Sequence, residues 1–304
     1  MKKILIQLDS DRCAAVFDCI VAHDAGVDVV QSLSGVKPEE VRGLLLGAVF
    51  TRSVKHLHTL AAWIGGSDVD AGEKMLDAAR RSFFGPFRIS VMLDSNGCNT
   101  TASTAVARLA KQTGLGGKKA LVIGQGAVGV RTAILLALEG CMVSLSSIPV
   151  SLFGETFNSD LAVRTAESCR RTVGTFAATR ETSCGGSIVT VTADSAEELK
   201  SLLERVEIVA AAGPAGLRIL ESDVWLRQPN LKWLLDFNLT EPLGIEGVRP
   251  ADDFALYDGK RAMGALAVGN DKMRVHKACI EKLFERNDLV LDAEGVYTIA
   301  KQLL

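Results

Sequence analysis

The sequence predicts an α/β protein of two strand-and-helix domains, with C-terminal helices packing back onto them. Three observations lead there. Strand and helix signals alternate over the first hundred residues, the pattern that builds an open sheet. A second alternation starts at KKALVIG, with a glycine-rich turn between its strand and its helix. The tail holds two amphipathic stretches, MRVHKACIEKLFERN and AEGVYTIAKQLL. A chain of 304 residues exceeds the usual single domain, so it divides into an N-terminal α/β domain at 1–100, a second domain at 101–270 and helices at 271–304.

KILIQLD opens the chain as a buried strand, and Asp9, Ser10 and Asp11 then offer N-caps for a helix through Val21. Pro38, Glu39 and Glu40 mark the first turn of the next helix, where proline fits and acids complement the dipole. LLLGAVFTR and AAWIGG are short apolar runs bounded by glycine or charge, and read as strands. Asp70 opens the helix DAGEKMLDAARRSFF, which Gly85–Pro86 stops, and Arg88–Asp94 is a further strand. Asn99 or Thr100 caps the helix on which the domains switch. KKALVIGQGAVGVRTAILLALEGCMVSLSS then reads strand, glycine turn, helix, glycine stop, strand. FGETFNSDLAVRTAESCRRTVG reads as helix, and TFAATRETSCGGS fits strand or loop. SIVTVTA, VEIVAAAG and LKWLLDFNL supply three more strands.

Composition excludes several classes. Hydrophobic residues at 48% against 23% charged are ordinary for a large globular core. A net charge of -2 without a long basic run gives no electrostatic footprint for nucleic acid, and sparse aromatics give no stacking platform. No window approaches the ~20 apolar residues of a membrane span, and the run before Asp9 is too short for a secretory signal. The seven scattered cysteines, odd in number and without a C-x-x-C pair, fit reduced thiols in a cytoplasmic protein. His56 and His58 stand close but lack a third ligand, so no metal site is predicted.

GQGAVG matches G-x-G-x-x-G, weak alone but specific between a strand and a helix within one strand–helix–strand unit. Gly124 permits the tight turn, Gly126 lets the backbone approach a pyrophosphate, and Gly129 lets the helix pack against the sheet. Gln125, Ala127 and Val128 complete a loop whose N–H groups and helix dipole face phosphates. The second domain is therefore of the Rossmann dinucleotide-binding type. After its second strand an NAD enzyme usually places an acid; the next acid here is Glu155, while Ser146 and Ser147 offer hydroxyls. That leans toward NADP, with NAD as the alternative.

DSNGCNTTA, FFGPFR, the DFN and EPLGIEG segments, GGSDVDAGE and GKRAMGALAVGNDKMRVHKACIEKLFE together resemble bacterial NAD(P)-dependent methylenetetrahydromethanopterin dehydrogenase, over nearly the whole chain. The resemblance implies hydride transfer from the methylene bridge of a reduced pterin one-carbon carrier to NADP, in a homo-oligomer with a trimer as one form. Ser146–Ser147–Ile148–Pro149 departs from the basic residue of the family there, which keeps NAD open. The chemistry suits a histidine-poor chain. Hydride leaves a carbon between two nitrogens, no proton moves, and alignment in a dry pocket suffices.

Asp94, Asn96 and Asn99 cluster after a strand, at the mouth where α/β ligands bind, and can pair with the N–H, amino and carbonyl edge of a pterin. The bland alternative is a turn and helix cap. Lys260, beside Arg261, is the first choice for the catalytic position near the bridge, against a solvated surface turn. Thr51, Arg52 and Lys55 match the Thr-Arg-x-x-Lys pattern of the family, so Thr51 is a substrate candidate and Lys55 the rival lysine. Ala212, Gly213 and Asn238 fall at strand ends on the cofactor side, where Asn238 could bind the carboxamide, and Gly264 and Gly269 suit close backbone approach. Two other readings stay open: a methylene-tetrahydrofolate dehydrogenase on the same fold, and a dinucleotide sensor without turnover.

Overall fold

A computed structural model describes residues 1–153, 158–179 and 185–304. Glu155 and residues 180–184 of TFAATRETSCGGS lie outside the described residues. In chain order the first elements are β1 (Ile4–Asp9), α1 (Val16–Asp24), β2 (Val29–Leu33), α2 (Val41–Val49), β3 (Leu60–Gly65), α3 (Val69–Ser82), β4 (Ser90–Leu93) and α4 (Cys98–Gln112). Then come β5 (Lys119–Ile123), α5 (Ala127–Leu138), β6 (Met142–Ser146), α6 (Ser159–Thr179), β7 (Ser187–Val191), α7 (Ala196–Leu203), β8 (Ile208–Ala211) and α8 (Ser222–Trp225). The chain ends with β9 (Trp233–Asp236), β10 (Asp253–Tyr257), β11 (Lys260–Met263), α9 (Ala265–Leu283), β12 (Val290–Leu291) and α10 (Ala293–Leu303). Two compact units result, Met1–Thr101 with Lys272–Leu304, and Ala102–Asp271. Residues from Lys272 onward thus group with the first unit rather than forming a third region.

The first unit is built on a parallel sheet in the order β12-β4-β3-β1-β2. Parallel strands covered on both faces read as continuous apolar runs, and all six residues of β3 are buried. One face carries Ile6, Leu8, Ala62, Ile64 and Val91 against Leu45 and Val49 of α2 and Met75 and Leu76 of α3. Each of these buried side chains larger than alanine contributes about 1.5–3 kcal/mol. Asp68 caps α3 by accepting from Ala71 N at 2.9 Å.

Several expectations are corrected here. Leu44–Val49 of LLLGAVFTR is helical: Val41, Leu45 and Val49 are buried at four-residue spacing, which outweighs the apolar run. Asp9 does not cap α1, which starts only at Val16; its carboxylate accepts from Asp11 N and Ala15 N, both at 2.8 Å, and shapes the loop between. Pro38 opens a turn ahead of α2, in which Lys37 N donates to Glu40 Oε2 at 2.8 Å. Neither Asn99 nor Thr100 caps α4, which is preceded by a short 3-10 turn at Ser95–Gly97.

The second unit holds a seven-stranded sheet in the order β10-β11-β9-β8-β5-β6-β7, parallel except for the antiparallel pair β10–β11. That hairpin turns on Asp258 (φ 45°) and Gly259 (φ 78°), the conformation that Asp-Gly favours. α9 begins at Ala265, eight residues before MRVHK, so GALAVG is the start of a helix. A Cβ on Gly264 would strike the carbonyls of Arg249 and Pro250, whereas one on Gly269 meets no described atom within 4 Å. Gly124 (φ 115°) abuts the Ala212 carbonyl, and a Cβ on Gly129 would collide with the carbonyl oxygen of Gly124.

Gly129→Ala therefore forces β5 and α5 apart. The expected cost is about 1–3 kcal/mol, as for other overpacked sites, read as a lower Tm in a thermal melt followed by circular dichroism. An unchanged melt would show that the turn relaxes freely.

Candidate functional site

Parallel strands present their carboxyl ends along one side of each sheet, where ligands of such folds bind. In the second unit that side carries Gly124, Gln125 and Gly126 after β5, Ser146 and Ser147 at β6, Ala212 and Gly213 after β8, and Asn238 after β9. Gly126 differs from its two partner glycines. Its φ is -72°, which any residue adopts, and a Cβ built on it meets no described atom within 4 Å beyond its chain neighbours. Neither conformation nor packing requires glycine there. Gly126 is also the N-cap of α5 and has no side-chain cap, so Ala127, Val128 and Gly129 offer the free N–H groups of a first helical turn. An open approach to a bare helix N-terminus suits a pyrophosphate. Half-buried Gln125 flanks it.

Other candidates on this side are held by the protein. Ser146 is fully buried and its hydroxyl donates to Ser147 O at 2.8 Å, which removes it as a donor to a ribose phosphate. Ser147 Oγ accepts from Ala193 N at 3.0 Å, which leaves its O–H hydrogen to give. Asn238 Oδ1 accepts from Thr240 N at 3.0 Å and Gly216 N at 3.4 Å, while its Nδ2 donates to Pro242 O at 3.3 Å. Its amide fastens two loops and does not await a carboxamide. Asp236 beside it accepts from Asn238 N at 3.0 Å and Ile245 N at 2.8 Å, with burial raising its pKa to about 6. Ala212 N donates to Ile123 O at 2.8 Å, and Gly213 packs closely against the tips of Ile148 and Ile219.

Lys260 is corrected by register. Arg261 pairs with Trp233, the first residue of β9, so Lys260 lies at the amino end of the sheet. Gly124 lies at the opposite end, roughly 16 Å along the strand direction at ~3.3 Å per residue, and three strands across. Lys260 is nonetheless buried, at 5% exposure, through its place opposite Tyr257.

In the first unit the carboxyl side carries Asp9, Gly65 and Asp94. Asp94 is buried, and its two oxygens accept from Thr100 N at 3.0 Å and Thr100 Oγ1 at 2.6 Å. It acts as the cap that fastens α4. Asn99 is buried and its Nδ2 donates to Leu93 O at 2.7 Å. Asn96 alone of the three is exposed, in the left-handed region at φ 53°, with its N bonded to Gly66 O at 2.7 Å. Thr51 and Lys55 are not brought to these residues. Thr51 Oγ1 donates to Ala48 O at 2.7 Å to close α2, and exposed Lys55 sits in the turn Val54–Thr59 that enters the amino end of β3. Asp94 lies beyond the other end of that strand, roughly 17 Å along it.

Sequence reasoning missed a second group on this side. Asp18 of α1 has its pKa raised to about 7, by burial first and then by the Asp94 carboxylate. His276 of α9 is 1% exposed and stacks on Trp63 of β3, with centroids 4.5 Å apart and planes 3° apart. Burial lowers its pKa to about 4, so it stays neutral at pH 7. No local motif joins these residues, since they converge from three separate segments. Among the described residues no cluster of three or more His, Cys, Asp or Glu could hold a metal, and no helix is long and apolar enough to cross a membrane.

Comparison with known proteins adds the following. Residues 16–96 match the family model described as methylene-tetrahydromethanopterin dehydrogenase, N-terminal. The "Bifunctional protein MdtA" of Methylorubrum extorquens is 38% identical, over 99% of this chain and 99% of its own. The "NAD(P)-dependent methylenetetrahydromethanopterin dehydrogenase" of the same organism is 28% identical, again over 99% of each chain. Among solved structures, shikimate 5-dehydrogenase from Listeria monocytogenes is similar at a TM-score of 0.55 and 11% identity, over 100% of this chain and 96% of that one, a likeness of fold.

Asp94→Ala removes the cap of α4. The expected loss is about 0.5–2 kcal/mol, the range for helix caps, seen as a lower Tm. A variant that melts like the wild type would return Asp94 to the list of ligand-facing groups.

Proposed function

Since the chain belongs to the methylene-tetrahydromethanopterin dehydrogenase family, we propose that it oxidises methylene-tetrahydromethanopterin to the methenyl form, with NADP as hydride acceptor and NAD also accepted. The single observation that carries the cofactor half is Gly126, a glycine that neither backbone nor packing requires, at a bare helix N-terminus. When bound, the dinucleotide supplies a nicotinamide ring that accepts hydride. The residues of this chain hold and exclude. Gly124, Gln125 and Gly126 with the first N–H groups of α5 receive the pyrophosphate. The absence of an acid at Ser146–Ser147 leaves room for a 2′-phosphate, to which the Ser147 hydroxyl can donate. Gly213, with Ile148 and Ile219, makes the adjoining strand end apolar. No proton transfer accompanies hydride departure, so no acid–base pair is needed. A cytoplasmic homo-oligomer goes with this reading; the six described cysteines are free thiols, which supports the compartment.

Absorbance of the reduced nicotinamide tests the reading, with methylene-tetrahydromethanopterin or methylene-tetrahydrofolate and NADP or NAD. Turnover with the first carrier and preference for NADP are expected. Turnover with the folate carrier alone, or dinucleotide binding without turnover, would replace it. Gly126→Val should melt as the wild type does yet lose dinucleotide affinity by tenfold or more (~1.4 kcal/mol), because the side chain enters the space left for phosphate. Equal affinity would overturn the glycine-loop assignment.

Lys260→Met should keep kcat within about twofold (~0.4 kcal/mol), given its place at the amino end of the sheet. A tenfold fall in kcat at unchanged Tm would reinstate the lysine near the reacting carbon.

A further inference from the structure

Buried polar atoms almost always find partners, so those that lack one point to an absent ligand or water. Among the described residues, Trp63 Nε1, both ring nitrogens of His276 and Ser10 Oγ are buried without a hydrogen-bond partner, all in the first unit. Trp63 Nε1 and Asp18 Oδ2 converge on one point. A methyl group placed on Gly65 would lie 3.2 Å from the first and 3.0 Å from the second. Gly65 keeps that point clear. The indole N–H favours the ionised carboxylate but falls short of a formed bond with it. On the same helix as Asp18, α1 presents exposed apolar side chains, Val16, Phe17 and Ile20, and the ring of Phe17 lies 5.9 Å from His276 and beneath the Lys272 ammonium.

A reduced pterin carries three groups in a row along one edge: an amino group, a ring N–H and a carbonyl oxygen. We propose that Asp18 and Trp63 read this edge, the carboxylate accepting from the two N–H groups and the indole N–H donating to the carbonyl, with Phe17 against the ring. Two acceptors followed by a donor complement two donors followed by an acceptor. Asp94 is 3% exposed, and each of its oxygens already accepts from Thr100 at the start of α4. The inference rests on the proposed pterin substrate.

Accepting two N–H groups requires ionised Asp18. Burial is the largest influence on it; Asp94 after β4 and Asp9 from β1 also raise its pKa, Trp63 from β3 and Lys272 from α9 lower it, and the balance stands at about 7. Ligand binding stabilises the carboxylate, so affinity is full above pH 7 and falls as pH drops below it.

Steady-state kinetics of wild type, Asp18→Asn and Trp63→Phe with methylene-tetrahydromethanopterin at saturating NADP tests the proposal, alongside NADPH titration and thermal melts. Asp18→Asn should raise KM about ten- to a hundredfold, the loss of hydrogen bonds to a charged group, with NADPH affinity and Tm retained. Wild-type KM should climb about tenfold per pH unit below 7, and that dependence should vanish in Asp18→Asn. Trp63→Phe keeps the stack on His276, loses the N–H and should raise KM severalfold; it also serves if Asp18→Asn fails to fold. Wild-type turnover with KM and its pH profile unchanged in the variants would overturn the edge-reading subsite and leave the family reading intact. No turnover by the wild type would overturn both.

Discussion

The collision that any side chain at Gly129 would suffer with the Gly124 carbonyl sets the distance between β5 and α5. Everything on the cofactor side follows from that distance. It brings the first turn of α5 to the carboxyl end of the sheet, beside Ser146 and Ala212, and leaves Gly126 facing open space. A turn of this tightness needs glycine twice for internal reasons, which is why the third glycine stands out as a place kept for something else.

The second unit was the more legible in sequence, and the reason is local. Strand, turn and helix in KKALVIGQGAVG are contiguous, so the pattern and its geometry coincide. LLLGAVFTR misled because a short apolar run satisfies strand and helix alike, and only the burial of Val41, Leu45 and Val49 on one face decides it. The β10–β11 hairpin has a local signal in Asp258–Gly259, but it is a short one beside the two charges of Lys260 and Arg261. Without that hairpin the level of Lys260 on the sheet cannot be known, and so neither can its distance from the glycine loop.

Site residues followed the same division. Gly124, Gly126 and Gly129 declare themselves through spacing, whereas Asp18, Trp63 and His276 lie on α1, β3 and α9 and meet only through the fold. Asp94 and Asn99 show the opposite case. Their polarity after a strand suggested a ligand, but Asp and Asn at such a position serve turns and caps equally well, and here both are consumed by backbone and by Thr100.

The bonds between Asp94 and Thr100 bear on how this chain can drift. One carboxylate meets both the N–H and the hydroxyl of a single residue, so the two side chains share one contribution to stability. Losses from altering each separately would exceed the loss from altering both, a coupling typical of groups in direct contact. A hydrophobic replacement of Thr100 removes the hydroxyl bond but leaves the backbone N–H on Asp94, and a neutral replacement of Asp94 leaves the Thr100 hydroxyl its bond to Gly97 O at 3.3 Å. Substitution at either position therefore loosens the start of α4 without abandoning a polar group, and a second change at the other position adds little.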